Sequence, residues 1–206
     1  TKKAAADRMA FLTPIAKAFC TELGFEATSL GVQVFGGHGY ISEHGMEQLM
    51  RDTRISMVYE GTTGIQALDL LGRKVLGSGG ELLRNYTKEI HKFCQAEAGN
   101  TELAPHIEKL STLNKQWGEL TVELGGKAME NADEVGAASV DYLMFSGYVA
   151  LAYTWARMAK VAQQKLAAST TEPAFYEAKI KTANFYFLRV LPRAQAHAEA
   201  AKAGSD

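Results

Sequence analysis

The sequence predicts an all-α fold, and three observations carry that prediction. Apolar residues recur at three- and four-residue spacing along nearly the whole 206-residue chain, which is the helical period. No segment shows the sustained polar/apolar alternation of a strand. The periodic runs are broken by short glycine-rich stretches, most sharply at Gly77-Ser78-Gly79-Gly80.

In chain order, residues 4–30 contain few helix breakers, and Met9, Leu12, Ala16, Phe19 and Leu23 fall at helical spacing as the expected buried stripe. Pro14 and Gly24 are read as interruptions. Pro14 predicts a kink, Gly24 a junction or a close contact between helices, and a second helix is expected over residues 25–35. Gly36-Gly37-His38-Gly39 ends it. Such a turn reads either as a helix C-cap or as a segment whose backbone N–H groups approach an anion closely. It lacks the setting of a dinucleotide fingerprint and the spacing of a P-loop.

Ser42 suits the N-cap of a helix over residues 43–55, with Met46, Leu49 and Met50 on its apolar side and Arg51 and Arg54 expected in ion pairs, with Glu47 or Asp52 within reach. Glu60 follows the apolar run Met57-Val58-Tyr59 and precedes Gly61. Thr63-Gly64-Ile65-Gln66 fits a capping box, so a helix is expected over residues 63–76 with Ile65, Leu68, Leu71 and Val75 on one side. Burial raises the pKa of a carboxylate and a helix N-terminus lowers it, and a general base needs a balance of that kind. The competing reading of Glu60 is a solvated loop glutamate or one that helps cap the helix.

Ser78-Gly79-Gly80-Glu81 fits a second capping box. Beyond it the pattern gives four long helices: Leu82, Leu83, Tyr86, Ile90 and Phe93 mark the first, and Leu103, Ile107, Leu110, Trp117, Leu120 and Leu124 the second. Val140, Met144, Leu151, Trp155, Met158 and Ala162 mark the third, and Tyr176, Ile180, Ala183, Phe187 and Val190 the fourth, capped by Thr171 with Pro173 in its first turn. Short polar joints make this an antiparallel bundle. Phe185-Tyr186-Phe187 reads as core in preference to a ligand pocket, and residues 198–206 are expected to fray.

A formal net charge of −1 predicts no broad attraction to nucleic acid or to an anionic membrane. No segment is expected to span a membrane, and the first residues read as a helix under way, without a signal-peptide core. Cys20 and Cys94 lie far apart and are read as free thiols in a reducing cytoplasm, and no metal site is expected.

Residues 33–66 resemble the C-terminal domain of the flavin-dependent acyl-CoA dehydrogenases. Gln33, Gly36-Gly37-His38-Gly39-Tyr40, Arg51-Asp52, Tyr59-Glu60-Gly61-Thr62 and Ile65-Gln66 carry the match in order. The resemblance implies that residues 1–77 are that helical domain and residues 78–206 the C-terminal helical extension found in larger bacterial members. It implies oxidation of an acyl-CoA to its 2,3-enoyl form with FAD as hydride acceptor. Glu60 matches the general base, and its backbone N–H one donor to the thioester oxygen. Gly61 matches a residue lining the substrate, Thr62 a flavin contact, and Gln33, Gly36 and Gly37 the segment reaching the FAD of a neighbouring subunit. A homo-oligomer and an electron-transfer flavoprotein or similar acceptor are implied with it. Gly64 departs from the pattern, since many members carry a polar residue there. The family's N-terminal helical and middle β-domains are absent, so the chain is read as a C-terminal piece that does not complete the reaction alone. The rival from another class is a non-catalytic helical module for oligomerisation or interaction, in which Glu60 has no chemical role.

Overall fold

The computed structural model describes residues 2–205, and every regular element among them is a helix. The first, α1, runs unbroken over Lys2–Phe35 with Pro14 inside it, so the expected break before residue 25 does not occur. Proline in a helix interior costs about 3 kcal/mol. Burial of Phe11, Ile15 and Phe19 on the core, at roughly 1.5–3 kcal/mol for each large side chain, outweighs it. A Cβ on Gly24 would lie 3.7 Å from Thr53 Cγ2, so Gly24 marks the close contact with a neighbouring helix and not a junction. The buried face is also turned by about one position from the expected stripe: Phe11, Ile15, Ala18 and Phe19 point inward, while Ala16 is exposed and Met9 is 68% exposed.

Past Phe35 the chain reverses through Gly36 into α2, Gly37–Tyr40. Gly36 is at positive φ, 61°, and Gly39 requires glycine for a different reason, because a Cβ there would lie 2.5 Å from the Val32 carbonyl oxygen. The helix expected from Ser42 onward is split: a 3-10 turn, Ser42–His44, ends at left-handed Gly45, and α3 covers Met46–Arg54 before a second 3-10 turn, Ile55–Met57. After the bend at residues 58–62, α4 begins at Thr63–Leu68 and continues as a π segment, Asp69–Val75, and a 3-10 turn, Leu76–Ser78. Leu71 and Val75 are buried as expected, but Ile65 and Leu68 are exposed, and Ala67 and Leu70 take the inner face.

Gly79 and Gly80, both left-handed, lead into α5, Glu81–Ala96. Ser78 forms only part of the expected capping box: Gly80 takes the N-cap position, and the Ser78 hydroxyl donates to the Lys74 carbonyl at 2.7 Å while its oxygen accepts from the Leu82 N–H in the first turn of α5 at 3.4 Å. Next come α6, Ala104–Glu130, and α7, Asp133–Ala167, then α8, Pro173–Phe185, which continues as a π segment, Tyr186–Val190. Residue 172, not Thr171, stands at the N-cap of α8. Here α5 packs on α6, α6 on α7, and α7 on α8.

A further helix, α9 (Arg193–Ala201), lies along α7 with Ala194, Ala198 and Ala201 buried. The tail is thus docked, not frayed: the Ser205 hydroxyl donates to Glu134 Oε1 at 2.8 Å. Asp206, which shares that expectation, lies outside the described residues.

The centre of the molecule is α7, which also touches α1 and α4. It buries Tyr142, Leu143, Phe145, Tyr148 and Val149 together with small residues such as Gly147, Ala152 and Ala156. The predicted stripe of large residues lies on its flank, with Val140 exposed and Trp155 half-buried. By length and hydropathy alone α7 could cross a membrane, contrary to the expectation that no segment would qualify, but 56% of its apolar window is buried in the fold and it serves as the core helix. One apolar cluster runs through both sides of the Gly77–Gly80 turn, from Phe11 and Leu71 to Trp117 and Phe187. Tyr186 and Phe187 belong to this core, while Phe185 faces outward.

Candidate active site

The bend between α3 and α4 places two consecutive residues at positive φ. Glu60 has φ of 52° and Gly61 φ of 93°. Positive φ costs an L-residue roughly 1–2 kcal/mol, so the surroundings must hold Glu60 there. They do so by gripping the carbonyls on either side of Gly61. Gln66 Nε2 donates to the Glu60 carbonyl at 3.0 Å, and Lys17 Nζ, reaching from α1, donates to the Gly61 carbonyl at 2.5 Å. The Lys17 ammonium also stands 5.9 Å from the centre of the Tyr59 ring. Two residues beyond Gly61, the Thr63 hydroxyl donates to Glu22 Oε1 at 2.5 Å. Two polar residues of α1 and one of α4 thus fix the bend.

These contacts replace the expected capping box. The helix does start at Thr63, but Thr62 is the N-cap residue and makes no side-chain cap bond, while Gln66 reaches a carbonyl and not an N–H. The φ of 93° favours glycine at position 61, and a Cβ there would lie 2.7 Å from Gln66 Nε2, displacing the amide that holds the Glu60 carbonyl. The Glu60 carboxylate is exposed and is not enclosed by the preceding apolar run, since Val58 is exposed and Tyr59 is 52% exposed. Among the described residues no acceptor takes the Glu60 N–H. A carboxylate and an uncommitted N–H therefore share one rigid, solvent-facing bend, the pair of groups needed to remove a proton next to a carbonyl and to stabilise the resulting oxyanion.

The other predicted residues lie elsewhere. Gln33 is sixteen residues beyond Lys17 along α1, roughly 24 Å away at the helical rise. Gln33, Gly36 and Gly37 are exposed, and the space where a Cβ would stand on Gly36 or Gly37 is open. The structure therefore forms two separate clusters on the first part of the chain, one at the middle of α1 and one at its end. Arg51 and Arg54 make no ion pair among the described residues: Asp52 accepts from Gln48 at 2.6 Å, and Arg54 lies over the Phe25 ring at 5.6 Å. Lys17 and Glu22 were not singled out by the sequence. The available signal was their place on α1 as polar residues beside its apolar face.

Residues 2–76 match the family model described as acyl-CoA dehydrogenase, C-terminal domain, and residues 86–206 match acetyl-CoA dehydrogenase C-terminal like. The chain is 38% identical over 191 residues to 3-methylmercaptopropionyl-CoA dehydrogenase of Ruegeria pomeroyi, covering 92% of this chain and 32% of that protein. It is 32% identical over 189 residues to the broad-specificity linear acyl-CoA dehydrogenase FadE5 of Mycobacterium tuberculosis, covering 88% and 31%. A butyryl-CoA dehydrogenase of Syntrophomonas wolfei is 26% identical over 182 residues, covering 87% and 30%. The chain spans about a third of the length of these curated relatives.

Proposed function

The chain belongs to the acyl-CoA dehydrogenase family, and from that premise we propose that it is the C-terminal part of an FAD-dependent enzyme that oxidises an acyl-CoA thioester to the 2,3-enoyl-CoA, with Glu60 as general base. The observation that carries this reading is the Glu60–Gly61 bend: a left-handed non-glycine residue whose own carbonyl and that of Gly61 are both tied down. In the reaction the Glu60 carboxylate takes the α-proton of the thioester. Its backbone N–H donates to the thioester oxygen as negative charge develops there. Gly61 keeps the bend free of a side chain, so that the acyl chain can approach.

The residues present fit FAD, which when bound accepts the hydride from the β-carbon. Gln33, Gly36 and Gly37 offer an exposed glycine backbone with room for close approach, and the exposed Thr62 hydroxyl is not spent on capping α4. Because the two clusters lie about 24 Å apart along α1, Gln33, Gly36 and Gly37 are assigned to the cofactor of a neighbouring subunit. Exposed Leu30, Val34, Phe35 and Tyr40 at that end of the molecule support a homo-oligomer. The named relatives act on acyl-CoA substrates of different side chains, so the thioester is the shared substrate class. An electron-transfer flavoprotein or similar acceptor completes the cycle. Residues 1–77 and 78–206 are proposed as the two family units, the matches falling at 2–76 and 86–206. The free thiols Cys20 and Cys94 suit the cytoplasmic location proposed for it.

Glu60→Gln in the full-length flavoenzyme tests the assignment. It should retain flavin and acyl-CoA binding and lose about 10²–10⁴-fold in the rate of flavin reduction, because the amide cannot accept the α-proton. A wild-type reduction rate would refute it. The 206-residue chain alone should purify colourless and oxidise no acyl-CoA, because affinity requires many contacts around a formed pocket.

A further inference from the structure

We propose that Lys17, in the middle of α1, is a positioning residue for the general base, an inference that rests on the reading of Glu60 above. Lys17 touches the bend on both sides of Glu60: its ammonium donates to the carbonyl of Gly61 and lies 5.9 Å from the centre of the Tyr59 ring. The Gly61 carbonyl belongs to the peptide that joins the bend to Thr62, the first residue of the next helix start. The preceding peptide is held from the other direction by Gln66 Nε2 on the Glu60 carbonyl. Two consecutive peptide planes are thereby locked, one from α1 and one from α4. The backbone torsions of Gly61 lie between those planes, and the held Glu60–Gly61 peptide fixes the C-terminal side of the Glu60 Cα. On its N-terminal side the Lys17 ammonium meets the Tyr59 ring, so Glu60 is bounded on both sides by contacts of the same lysine and of Gln66.

Why a lysine is needed follows from the geometry. The bend is otherwise solvent-facing and lies in a strained part of backbone space. A charged donor makes a hydrogen bond to a carbonyl roughly twice as strong as a neutral one. The Lys17 stem is half-buried against the fold, so the ammonium is presented from a rigid helix and not from a mobile arm. The neighbouring contact, the Thr63 hydroxyl donating to Glu22 five residues further along α1, ties the start of α4 to the same helix. α1 thus acts as the rail against which the base is aligned. A displacement of about 1 Å at a reacting group lowers the rate by about 10²-fold, so a residue that touches neither substrate nor cofactor can matter this much.

The test uses the full-length flavoenzyme. Lys17→Met keeps the stem and removes the donor; Lys17→Arg keeps a donor; Lys17→Gln supplies a shorter, neutral one. The expected result is a fall in kcat of roughly ten- to hundredfold for Lys17→Met with KM and flavin content within about twofold of wild type. Lys17→Gln should fall between, and Lys17→Arg should recover to within about threefold of wild type. Amide exchange over residues 59–64 should rise in Lys17→Met and not in Lys17→Arg. In the Glu60→Gln background Lys17→Met should add no further loss. If Glu60→Gln is inactive and Lys17→Met keeps wild-type kcat, the positioning role fails while the base assignment stands. If Glu60→Gln reduces flavin at the wild-type rate, the base assignment fails, whatever Lys17 does. A Lys17→Met enzyme that loses flavin or unfolds early, or whose deficit multiplies that of Glu60→Gln, overturns the proposal by making the contact a general support of the fold.

Discussion

Replacing Gly147 by alanine should destabilise the chain even though it puts a better helix former in the middle of its longest helix. Gly147 lies where α7 crosses α1. A Cβ there would sit 2.3 Å from Phe19 Cγ and Cδ2, and 2.8 Å from Phe19 Cβ. Carbon atoms rest at about 3.5–4.0 Å from one another, so either the ring retreats by more than about 1 Å or the helices part. Retreat is blocked, because Phe19 is 3% exposed and its ring meets that of Tyr148 edge-on with centroids 4.9 Å apart. Over-packing of this kind costs about 1–3 kcal/mol. Against it stands a gain of about 0.8–1.0 kcal/mol in helix propensity. A 2.3 Å overlap on a ring that cannot retreat belongs in the upper half of that range, about 2–3 kcal/mol, so the steric term wins and leaves a net loss of about 1–2 kcal/mol. Gly136→Ala is the control on the same helix: nothing lies within 4 Å of its new Cβ, so only the propensity gain of about 1 kcal/mol or less applies. Urea unfolding of the two variants, read as midpoints at unchanged m, gives the comparison. Equal stability of Gly147→Ala and Gly136→Ala would refute the close α1–α7 contact. The site is involved as well, because Phe19 is two residues from Lys17 on α1.

The glycines of the turn after α1 should separate by role. Gly39→Ala meets the Val32 backbone oxygen and should cost about 1–3 kcal/mol, while Gly37→Ala meets nothing and should leave the chain's stability unchanged yet lower flavin retention in the full-length enzyme. Urea midpoints and flavin absorbance check the two halves. Stability should also fall with pH through one buried histidine. Burial holds His106 below its usual 6.5, with Lys109 adding to the effect and a hydrogen bond to Asn184 opposing it. A depressed imidazole is protonated more readily in the unfolded chain, so stability is full above about pH 6.5 and declines as the pH falls below it. Urea midpoints measured from pH 7.5 to 5 should show this decline, and His106→Gln should flatten it.

The all-α class was legible because it is repeated in every segment, but the orientation of each helix was readable only where one face is buried. α6 has a single covered side, and all six residues expected to be inside it are inside. α7 is covered from several directions. Its large side chains therefore fill the flanks while alanine and glycine occupy the tight crossings, and a stripe drawn through the large residues selects the wrong face. α9 escaped notice for a related reason: its buried residues are alanines, which give little contrast in a hydrophobic pattern. At the site, Glu60, Gly61 and Thr62 were visible as a motif of residue types next to one another in the chain. Lys17 and Glu22 reach them across more than forty residues of sequence, a distance over which spacing carries no signal.

The chain has two non-glycine residues with left-handed backbone among those described, Glu60 and Ser169, and they differ in a way that bears on function. Ser169 lies just past the end of α7, where its N–H donates to the Leu166 carbonyl at 3.2 Å and the next N–H to Lys165 at 3.3 Å. That is an ordinary helix termination, and left-handed geometry belongs to it. Glu60 closes no helix, and its N–H has no acceptor among the described residues. Its carbonyl accepts from the Gln66 side chain and not from a backbone N–H, so no helix-ending backbone bond explains a β-carbon there. Glu60→Gly removes strain of roughly 1–2 kcal/mol and adds chain entropy in the unfolded state worth roughly 0.5–1 kcal/mol. The variant should therefore be at least as stable as the wild type, with a gain of up to about 1.5 kcal/mol, while flavin reduction by acyl-CoA is lost. Ser169→Gly should match it in stability and leave flavin reduction intact. Thermal unfolding and stopped-flow flavin reduction on both variants give the answer. A Glu60→Gly enzyme that is clearly destabilised would mean that the glutamate side chain supports the fold, and the strain at the bend would then have a structural cause instead of a catalytic one.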